Sequence, residues 1–470
     1  MQERPTRTGP VLAVVSAAVF MASLDLFVVN VAFPDIQRDF DGTSLANLSW
    51  VLNGYTIVFA SLLVPLGRAA DRLGRRRFFV GGLLLFVTSS AAAAAAPSIE
   101  TLVAARVVQA VGAAALMPTS LALLLAEVPL AKRSAAIGIW AATGGIAAAA
   151  GPPLGGLLVE ASWRWVFLIN LPVGLAAAIA ATRVLRESSD PEHARRPDAL
   201  GALMLTATVG ALALGLVKAP DWGWANARTL TALGGSVVAL LAFVARSSRH
   251  PAPVVELPML RVRSFSMAAT AALLFSAGFG AMLLGGVLFL TQVWDYSVLE
   301  AGVAFAPGPF TAAVFALPAG RLGPRVGPHV LTAIGCTVFG LGATWWALRI
   351  GTKPAFASEL LPGMVLTGIG VGLTLPSVSA AAVSALPPAR LATGSAVLQM
   401  ARQLGIALGV AILIAIFGHP SPQDALAHFH NGWWFMAGTG FAAAVAGIRI
   451  QVREPQNQVT PALAQSAGSP

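Results

Sequence analysis

Long apolar stretches alternate with short polar connectors along this chain, from residue 11 to residue 448. Two of these stretches, Leu48 to Leu66 and Phe78 to Ala96, each hold 19 residues without a charged side chain. About 20 such residues make a helix long enough to cross the ~30 Å hydrocarbon core of a bilayer. The pattern therefore predicts that the chain crosses a membrane many times.

Fourteen stretches have this character and are predicted to be membrane-spanning helices. They lie near 11–33, 48–66, 78–96, 101–123, 135–159, 165–182, 199–217, 229–245, 266–292, 301–320, 330–348, 360–380, 394–417 and 432–448. Composition excludes an ordinary soluble protein, because 56% of the 470 residues are hydrophobic and 11% are charged. Soluble domains carry about 25% charged residues. The predicted class is an all-α integral membrane protein.

The net charge of +10 first suggests a nucleic-acid partner. Membrane topology explains it instead, because short cytoplasmic loops collect Lys and Arg, and most basic residues fall there if the amino terminus is cytoplasmic. The basic residues on the outer side are then Arg38, Arg164, Lys218, Arg228, Arg349 and Lys353. Since no basic patch interleaved with aromatic residues remains, we expect no nucleic acid to bind. We expect a multi-pass protein of the inner (plasma) membrane with both termini cytoplasmic.

The connector between the second and third stretches is short and rich in arginine. Gly67 is followed four residues later by Asp71 and three further on by Gly74, with five arginines between 68 and 77. Glycines suit a sharp turn, so a solvated basic loop is one interpretation. The spacing resembles the loop between the second and third spans of the major facilitator superfamily. That resemblance implies a cytoplasmic gate held by Asp71, Arg72 and Arg75.

Two features of the first half recur in the second. The glycine and arginine pattern of 67–74 returns at 320–327, at an offset of 253, and 112–118 is echoed by 370–376, at an offset of 258. Nearly equal offsets for unrelated features indicate a parallel duplication into two pseudo-symmetric halves. We predict six helices in 11–182, two additional helices in 199–245, six helices in 266–448 and a disordered cytoplasmic tail at 454–470. This arrangement of six, two and six helices resembles the fourteen-span drug:proton antiporters, and so implies the major facilitator fold.

Three charges lie well inside predicted spans: Asp25, Arg106 and Arg402. A charge in a span costs at least ~2.5 kcal/mol on insertion, so each is a candidate functional residue. At 1.5 Å per residue, Asp25 and Arg106 lie about 12 and about 8 Å from the outer surface and can pair. An arginine favours the ionised carboxylate and burial alone favours the protonated one, so small helix movements can switch proton binding. A static structural ion pair is the alternative.

The segments around this pair resemble motifs of the superfamily's drug exporters. Residues 24–34 resemble the first-span signature and residues 102–114 the fourth-span motif. The resemblance implies proton coupling through Asp25 and Arg106. Gln109 follows Arg106 by one helical turn on the same face and could orient it.

The fifth span carries Gly151, Pro152, Gly155 and Gly156 in a Gly-Pro-x-x-Gly-Gly pattern. Small residues let helices approach closely, so ordinary packing is one interpretation. The pattern also resembles the antiporter motif of the superfamily's exporters, and residues 163–174 resemble the fourteen-span branch. The resemblance therefore implies efflux.

Other polar or soft side chains on the spans are candidates for a substrate cavity, although each could simply be packed. They are Met21, Asn53, Trp140, Gln292, Gln399 and Arg402, and the last could also snorkel to lipid headgroups.

The chain lacks the Gly-x-x-x-x-Gly-Lys-Ser/Thr loop of ATP-driven pumps. Its lone cysteine, Cys336, lies in a predicted span, and the histidines lie at loops or span ends, so we expect no metal site. We expect a monomer in the lipid bilayer without cofactor or enzymatic activity, driven by the proton gradient. The predicted function is export of small amphipathic compounds by proton antiport, and proton-coupled import of a nutrient or metabolite is the alternative.

Overall fold

The computed structural model describes residues 8–40, 43–129, 133–189, 196–384, 386, 391–418 and 424–450, so the predicted tail at 454–470 lies outside the described residues. Within these ranges we number fourteen long helices in chain order. They are α1 (Thr8–Asp39), α2 (Leu45–Leu73), α3 (Arg75–Ala94), α4 (Ile99–Glu127), α5 (Arg133–Ala161), α6 (Trp165–Val184), α7 (Ala199–Trp222), α8 (Ala227–Arg249), α9 (Arg263–Gln292), α10 (Val298–Phe305 continued by Pro307–Val326), α11 (Pro328–Arg349), α12 (Leu361–Ser384), α13 (Leu391–Phe417) and α14 (Ala425–Ile448).

Thirteen of these helices are long and apolar enough to cross a membrane. The remaining helix, α14, spans 24 residues but carries His428, His430 and Asn431 near its start, which lowers its mean hydropathy. It nevertheless packs against α9 and α11 as a member of the bundle. The all-helical membrane fold predicted from the apolar pattern is therefore confirmed, and fourteen spans are consistent with it.

The connector between α2 and α3 turns at one glycine rather than two. Helix α2 continues through Gly67 as far as Leu73, and the chain reverses at Gly74, whose φ is 123°. Gly67 instead suits close helix packing, because a Cβ there would lie 3.2 Å from Pro118 of α4. The expectation of a turn at Gly67 is therefore wrong: this glycine lets two helices approach.

The internal duplication is visible in equivalent helix contacts. Gly112 of α4 lies against α3, where an added Cβ would be 2.8 Å from the backbone nitrogen of Phe86. Gly370 of α12 lies against α11, where an added Cβ would be 2.7 Å from the backbone nitrogen of Phe339. The connectors also match, because Gly327 ends α10 with a φ of 94°, as Gly74 ends α2. The two halves thus share one packing scheme.

The two additional helices lie at one side of the bundle. Helix α7 packs against α2 of the first half and α13 of the second, and α8 packs mainly on α7. The outer face of α8 exposes Val237, Val238 and Leu241. A helix with so apolar an exposed face is suited to contact with lipid. The proposed domain limits at 199–245 fit this arrangement and stay a prediction.

Candidate functional site

A buried ion pair lies between α1 and α4. The Asp25 Oδ2 atom lies 2.5 Å from Arg106 Nη1, and both side chains are 0% exposed. Each charge removed from water needs a partner of this kind, because an unpaired buried charge is strongly unfavourable. The structure therefore brings together the two residues that the depth argument placed at similar levels.

Two amides complete the surroundings of the carboxylate. Gln109 Nε2 donates to Asp25 Oδ1 at 2.9 Å, and Gln109 Oε1 accepts from Arg106 Nη1 at 2.7 Å. Asn170 of α6 donates to the same Asp25 oxygen at 3.0 Å. Ser90 of α3 accepts from both amides, at 2.7 Å from Gln109 and 3.1 Å from Asn170. These five residues form one hydrogen-bonded group, which we call the Asp25 cluster.

Sequence reasoning identified Asp25, Arg106 and Gln109 but missed Asn170 and Ser90. Neutral polar residues carry no insertion penalty comparable to that of a charge, so they do not stand out in an apolar span. One signal was available for Asn170, which lies inside the 163–174 segment whose resemblance to the fourteen-span branch was noted.

Arg106 is held on its other sides by α2. Its Nε donates to the Val51 carbonyl at 3.3 Å, and its guanidinium lies 4.1 Å from the centre of the Tyr55 ring. Nη2 is buried without a hydrogen-bond partner in the described structure. Because an aromatic face stabilises a cation electrostatically, the Tyr55 ring partly compensates the guanidinium for this missing hydrogen bond. The cluster and these contacts link five helices of the first half.

The predicted cytoplasmic gate residues form contacts within the connector. Asp71 Oδ1 accepts from Arg75 Nε at 2.7 Å, one helical turn away. The carboxylate of Glu187, beyond the end of α6, accepts from the backbone nitrogens of Arg76 and Arg77 at 3.0 and 3.3 Å. Arg72 is partly exposed on the last turn of α2. Their role as a gate stays a prediction.

Two glycines of the antiporter motif bring α5 against α1 in the same half. A Cβ at Gly151 would lie 2.5 Å from the Cβ of Phe27, and one at Gly155 would lie 3.1 Å from the Cβ of Val31. The helices can approach this closely because α5 carries no side chain at these two positions.

The other two members of the motif, Gly156 and Pro152, meet the second half. A Cβ at Gly156 would lie 2.9 Å from the Cα of Leu299 at the start of α10. A Cβ at Gly302, one turn further along α10, would collide with the Pro152 carbonyl oxygen. The end of α5 and the start of α10 are therefore packed backbone to backbone. We call this contact between halves the α5–α10 seal.

The cavity candidates fall in different environments. Met21 is buried against α6, where its sulfur lies 3.0 Å from the position of a Cβ on Gly174. Gln292 is the last residue of α9 and is exposed. Met21 therefore packs between helices here, and Gln292 lies at the end of its helix. Their assignment to a substrate cavity stays a prediction.

The remaining candidates differ in whether their polar atoms have hydrogen-bond partners. Trp140 Nε1 donates to Ser120 Oγ at 3.1 Å, and Arg402 Nη1 donates to Gln399 Oε1 at 3.3 Å. Both nitrogen and oxygen of the Asn53 amide are buried without a hydrogen-bond partner in the described structure. Their assignment to a substrate cavity stays a prediction.

No three His, Cys, Asp or Glu side chains gather into a possible metal site within the described ranges. Taken together, the bundle of apolar helices, its duplicated halves and its buried ionisable cluster define a multi-pass membrane protein of the transporter type.

The chain belongs to the major facilitator superfamily, whose family model matches residues 15–410 and 270–470. It is 36% identical over 398 residues to the multidrug resistance protein Stp of Mycobacterium tuberculosis, covering 84% of this chain and 73% of that protein. It is 34% identical to the cephamycin export protein CmcT of Amycolatopsis lactamdurans, covering 97% and 93%. The methylenomycin A resistance protein of Bacillus subtilis is 33% identical, covering 95% and 93%.

Solved structures with the same fold include an auto-inhibited peptide transporter of the POT family, with a TM-score of 0.69, 17% identity and coverage of 97% of this chain and 99% of that one. The nucleoside transporter NupG superposes with a TM-score of 0.63, 15% identity and coverage of 94% and 99%. At these identities the likeness concerns the fold alone.

Proposed function

We propose that this protein exports small amphipathic, antibiotic-like compounds from the cytoplasm in exchange for protons, by alternating access. The single observation that carries the proton coupling is the Asp25 cluster. It holds a carboxylate that is 0% exposed and bonded to an arginine on a different helix. A proton arriving there removes the negative charge that holds α1 to α4, so protonation and helix packing are linked.

The proposed cycle follows from this linkage. When the protein is open to the outside, Asp25 takes up a proton and its attraction to Arg106 and to bound substrate weakens. The halves then rock, the carboxylate again meets Arg106, and the proton leaves to the cytoplasm. A membrane potential of about 100 mV supplies roughly 2.3 kcal/mol for each charge moved.

The direction of transport is supported by the relatives and by the motif in α5. The relatives bear names of export or resistance proteins, for tetracenomycin C and cephamycin among others. The Gly-Pro-x-x-Gly-Gly pattern in α5 resembles the antiporter motif of exporters. Efflux therefore fits better than import.

Everted membrane vesicles test this function. In vesicles whose lumen is acidified by respiration, we expect a fluorescent cationic or neutral drug to accumulate inside when the chain is present. The Asp25→Asn variant should lose this accumulation. The matched control is Asp39→Asn, because Asp39 lies at the far end of the same helix in an exposed pair with Arg164.

Two outcomes contradict the proposal. Release of preloaded substrate on acidification would mean import, and proton-driven accumulation by Asp25→Asn at the parental rate would mean that Asp25 does not couple transport. Since Asp25→Asn leaves Arg106 buried without its anion, it could unfold the protein at a cost of about 3–5 kcal/mol. The double variant Asp25→Asn with Arg106→Gln removes both charges and should fold while still failing to couple.

A further inference from the structure

A groove of about 410 Å³ opens where α8 ends, on the side of the bundle formed by the two additional helices. Its basic part is formed by the last turn of α8 and the residue that follows it. Its apolar part is formed by one residue of α7 and the preceding turns of α8. The lining residues used in the argument are Met204, Ala242, Ala245, Arg246, Arg249 and His250.

A buried carboxylate fixes the geometry of this groove. Asp198 is 0% exposed and caps the start of α7, because its Oδ1 accepts from the Gly201 nitrogen at 2.8 Å. The same oxygen accepts from Arg246 Nε at 2.7 Å, and His250 Nδ1 lies 3.9 Å from Oδ2. Asp198 therefore holds the end of α8 against α7 and balances the charge of Arg246. Arg249, one turn along and exposed, adds a second positive charge at the groove.

The groove lies on the cytoplasmic side by its contacts. Arg68, at the end of α2 and in the arginine-rich connector, donates to the Pro253 carbonyl at 2.6 Å, just beyond the groove. Short connectors with this many arginines face the cytoplasm. The groove therefore lies at the level of the inner-leaflet headgroups, where anionic lipids are enriched.

The surroundings of the groove are apolar and exposed, so in a bilayer they would face lipid. On the exposed side of α8, Val238 and Leu241 are 67% and 64% exposed, and Val244 continues the same surface toward Arg246. A free anion would find water on one side of its site, whereas a lipid would lay its acyl chains along these side chains. Arginines at the level of the headgroups, next to an exposed aliphatic surface at the level of the acyl chains, favour a lipid over a free anion as the ligand.

We propose that this groove binds one anionic phospholipid of the inner leaflet, with its phosphate on Arg249 and Arg246 and its acyl chains along the exposed face of α8. Bound there, the lipid bridges α7 and α8 beside the contact of α7 with α2 and α13. The site is independent of the Asp25 cluster and of the direction of transport.

Native mass spectrometry of the full-length protein in detergent tests this site, with phosphatidylglycerol and phosphatidylcholine titrated in parallel. We expect phosphatidylglycerol to be retained in preference to phosphatidylcholine. Arg249→Gln should weaken the preferred binding roughly five-fold, which is the effect of one arginine at a membrane surface. Arg228→Gln is the matched control, because it removes an exposed arginine at the other end of the same helix.

Three results would overturn the proposal: equal retention of the two lipids, equal loss in Arg249→Gln and Arg228→Gln, or displacement of the lipid by millimolar inorganic phosphate. The last would mean that a free anion is the ligand. Arg249 is chosen because Arg246→Gln leaves Asp198 buried without its cation and could unfold the chain. Arg246→Lys keeps the charge and should bind phosphatidylglycerol at least as well as Arg249→Gln does.

Discussion

At the scale of single residues, the Asp25 carboxylate receives hydrogen bonds from three side chains on two other helices. The charged donor, Arg106, attracts the carboxylate electrostatically, and the amides of Gln109 and Asn170 fix the orientation of the carboxylate through hydrogen bonds. An ionised carboxylate is stabilised by each donor that it receives. Gln109 also hydrogen-bonds to Arg106, whereas the hydrogen bonds described for Asn170 go to the carboxylate and to Ser90. A substitution of Asn170 therefore removes a hydrogen bond to Asp25 and leaves the ion pair with Arg106 in place.

Replacing Asn170 by alanine should change the pH dependence of transport more than its maximal rate. The ionised carboxylate loses one of its donors, and a hydrogen bond to a charged group is worth about 1.5–3 kcal/mol. We therefore expect the variant to differ from the parent in how efflux depends on pH. Efflux measured in vesicles over a series of internal and external pH values reports this difference.

The control for Asn170→Ala is Ser61→Ala, which removes a buried hydrogen bond from Ser61 Oγ to the Ile57 carbonyl on α2, in the same half and outside the Asp25 cluster. Its pH profile should match that of the parent. If Asn170→Ala lowers the rate equally at every pH, Asn170 is a packing residue and has no part in the proton site.

Charge made the Asp25–Arg106 pair predictable from sequence, because a charged residue in an apolar stretch needs a partner at its own depth. Met21 and Gln292 could not be assigned in the same way. Whether a methionine faces a neighbouring helix or a cavity depends on how the helices rotate, and a 3.6-residue period is not resolved when nearly every position is apolar. Gln292 ends α9 at the residue where the predicted span 266–292 also ends, and a position at a helix end does not by itself say whether the side chain faces a cavity.

At the scale of helices, the two halves rely on the same glycine contacts. Gly112 and Gly370 occupy equivalent positions where α4 meets α3 and α12 meets α11. Close approach of this kind replaces the hydrophobic driving force that helices lack in lipid. Helix existence was predictable from apolar length alone, since thirteen of the helices satisfy that criterion. Which helices pack against each other was not predictable, because 47 glycines make chance small-residue patterns common.

Replacing Gly112 by alanine should destabilise the protein, because the new Cβ would lie 2.8 Å from the backbone of Phe86, which has no side-chain freedom to move. Overpacking of this kind costs about 1–3 kcal/mol. Thermal unfolding in detergent, followed by tryptophan fluorescence, should show a lower midpoint. Gly81→Ala is the control, because a Cβ on Gly81 has no neighbour within 4 Å and alanine favours the helix. Equal midpoints for the two variants would contradict the packing argument.

At the scale of the whole molecule, a symmetric scaffold carries asymmetric chemistry. At the offset of 258 that relates the equivalent glycines, Arg106 corresponds to Met364 and Gln109 to Thr367. The second half therefore keeps these packing positions of the first but has a neutral side chain, Met364, where the first half has Arg106. Proton coupling is accordingly expected in the first half alone, and the second half must follow by moving against it. If the amino terminus is cytoplasmic, as we expect, α5 ends and α10 begins on the outer side, and we expect the α5–α10 seal to transmit this movement there.

The close packing of the α5–α10 seal leads to a prediction for a larger side chain at Gly302. Because a Cβ on Gly302 would collide with the Pro152 carbonyl, Gly302→Val should prevent the outer ends of the halves from closing. The protein should then rest open to the outside and lose efflux. Leu299→Cys reports this state, since Leu299 lies in the seal and Cys336, the lone native cysteine, is buried. A membrane-impermeant maleimide applied to whole cells should label this cysteine faster in the Gly302→Val background.

Gly145→Val is the matched control for the seal, because Gly145 lies on α5 itself and a Cβ there has no neighbour within 4 Å. Labelling of Leu299→Cys and efflux should both stay at the parental level in that background. Unchanged labelling in Gly302→Val together with full efflux would mean that the halves separate elsewhere, and the motif in α5 would then be ordinary helix packing. Lost efflux with unchanged labelling would point to a damaged fold, which the thermal midpoint of the same variant would reveal. Faster labelling with a parental midpoint is the result expected if the seal closes the outer side.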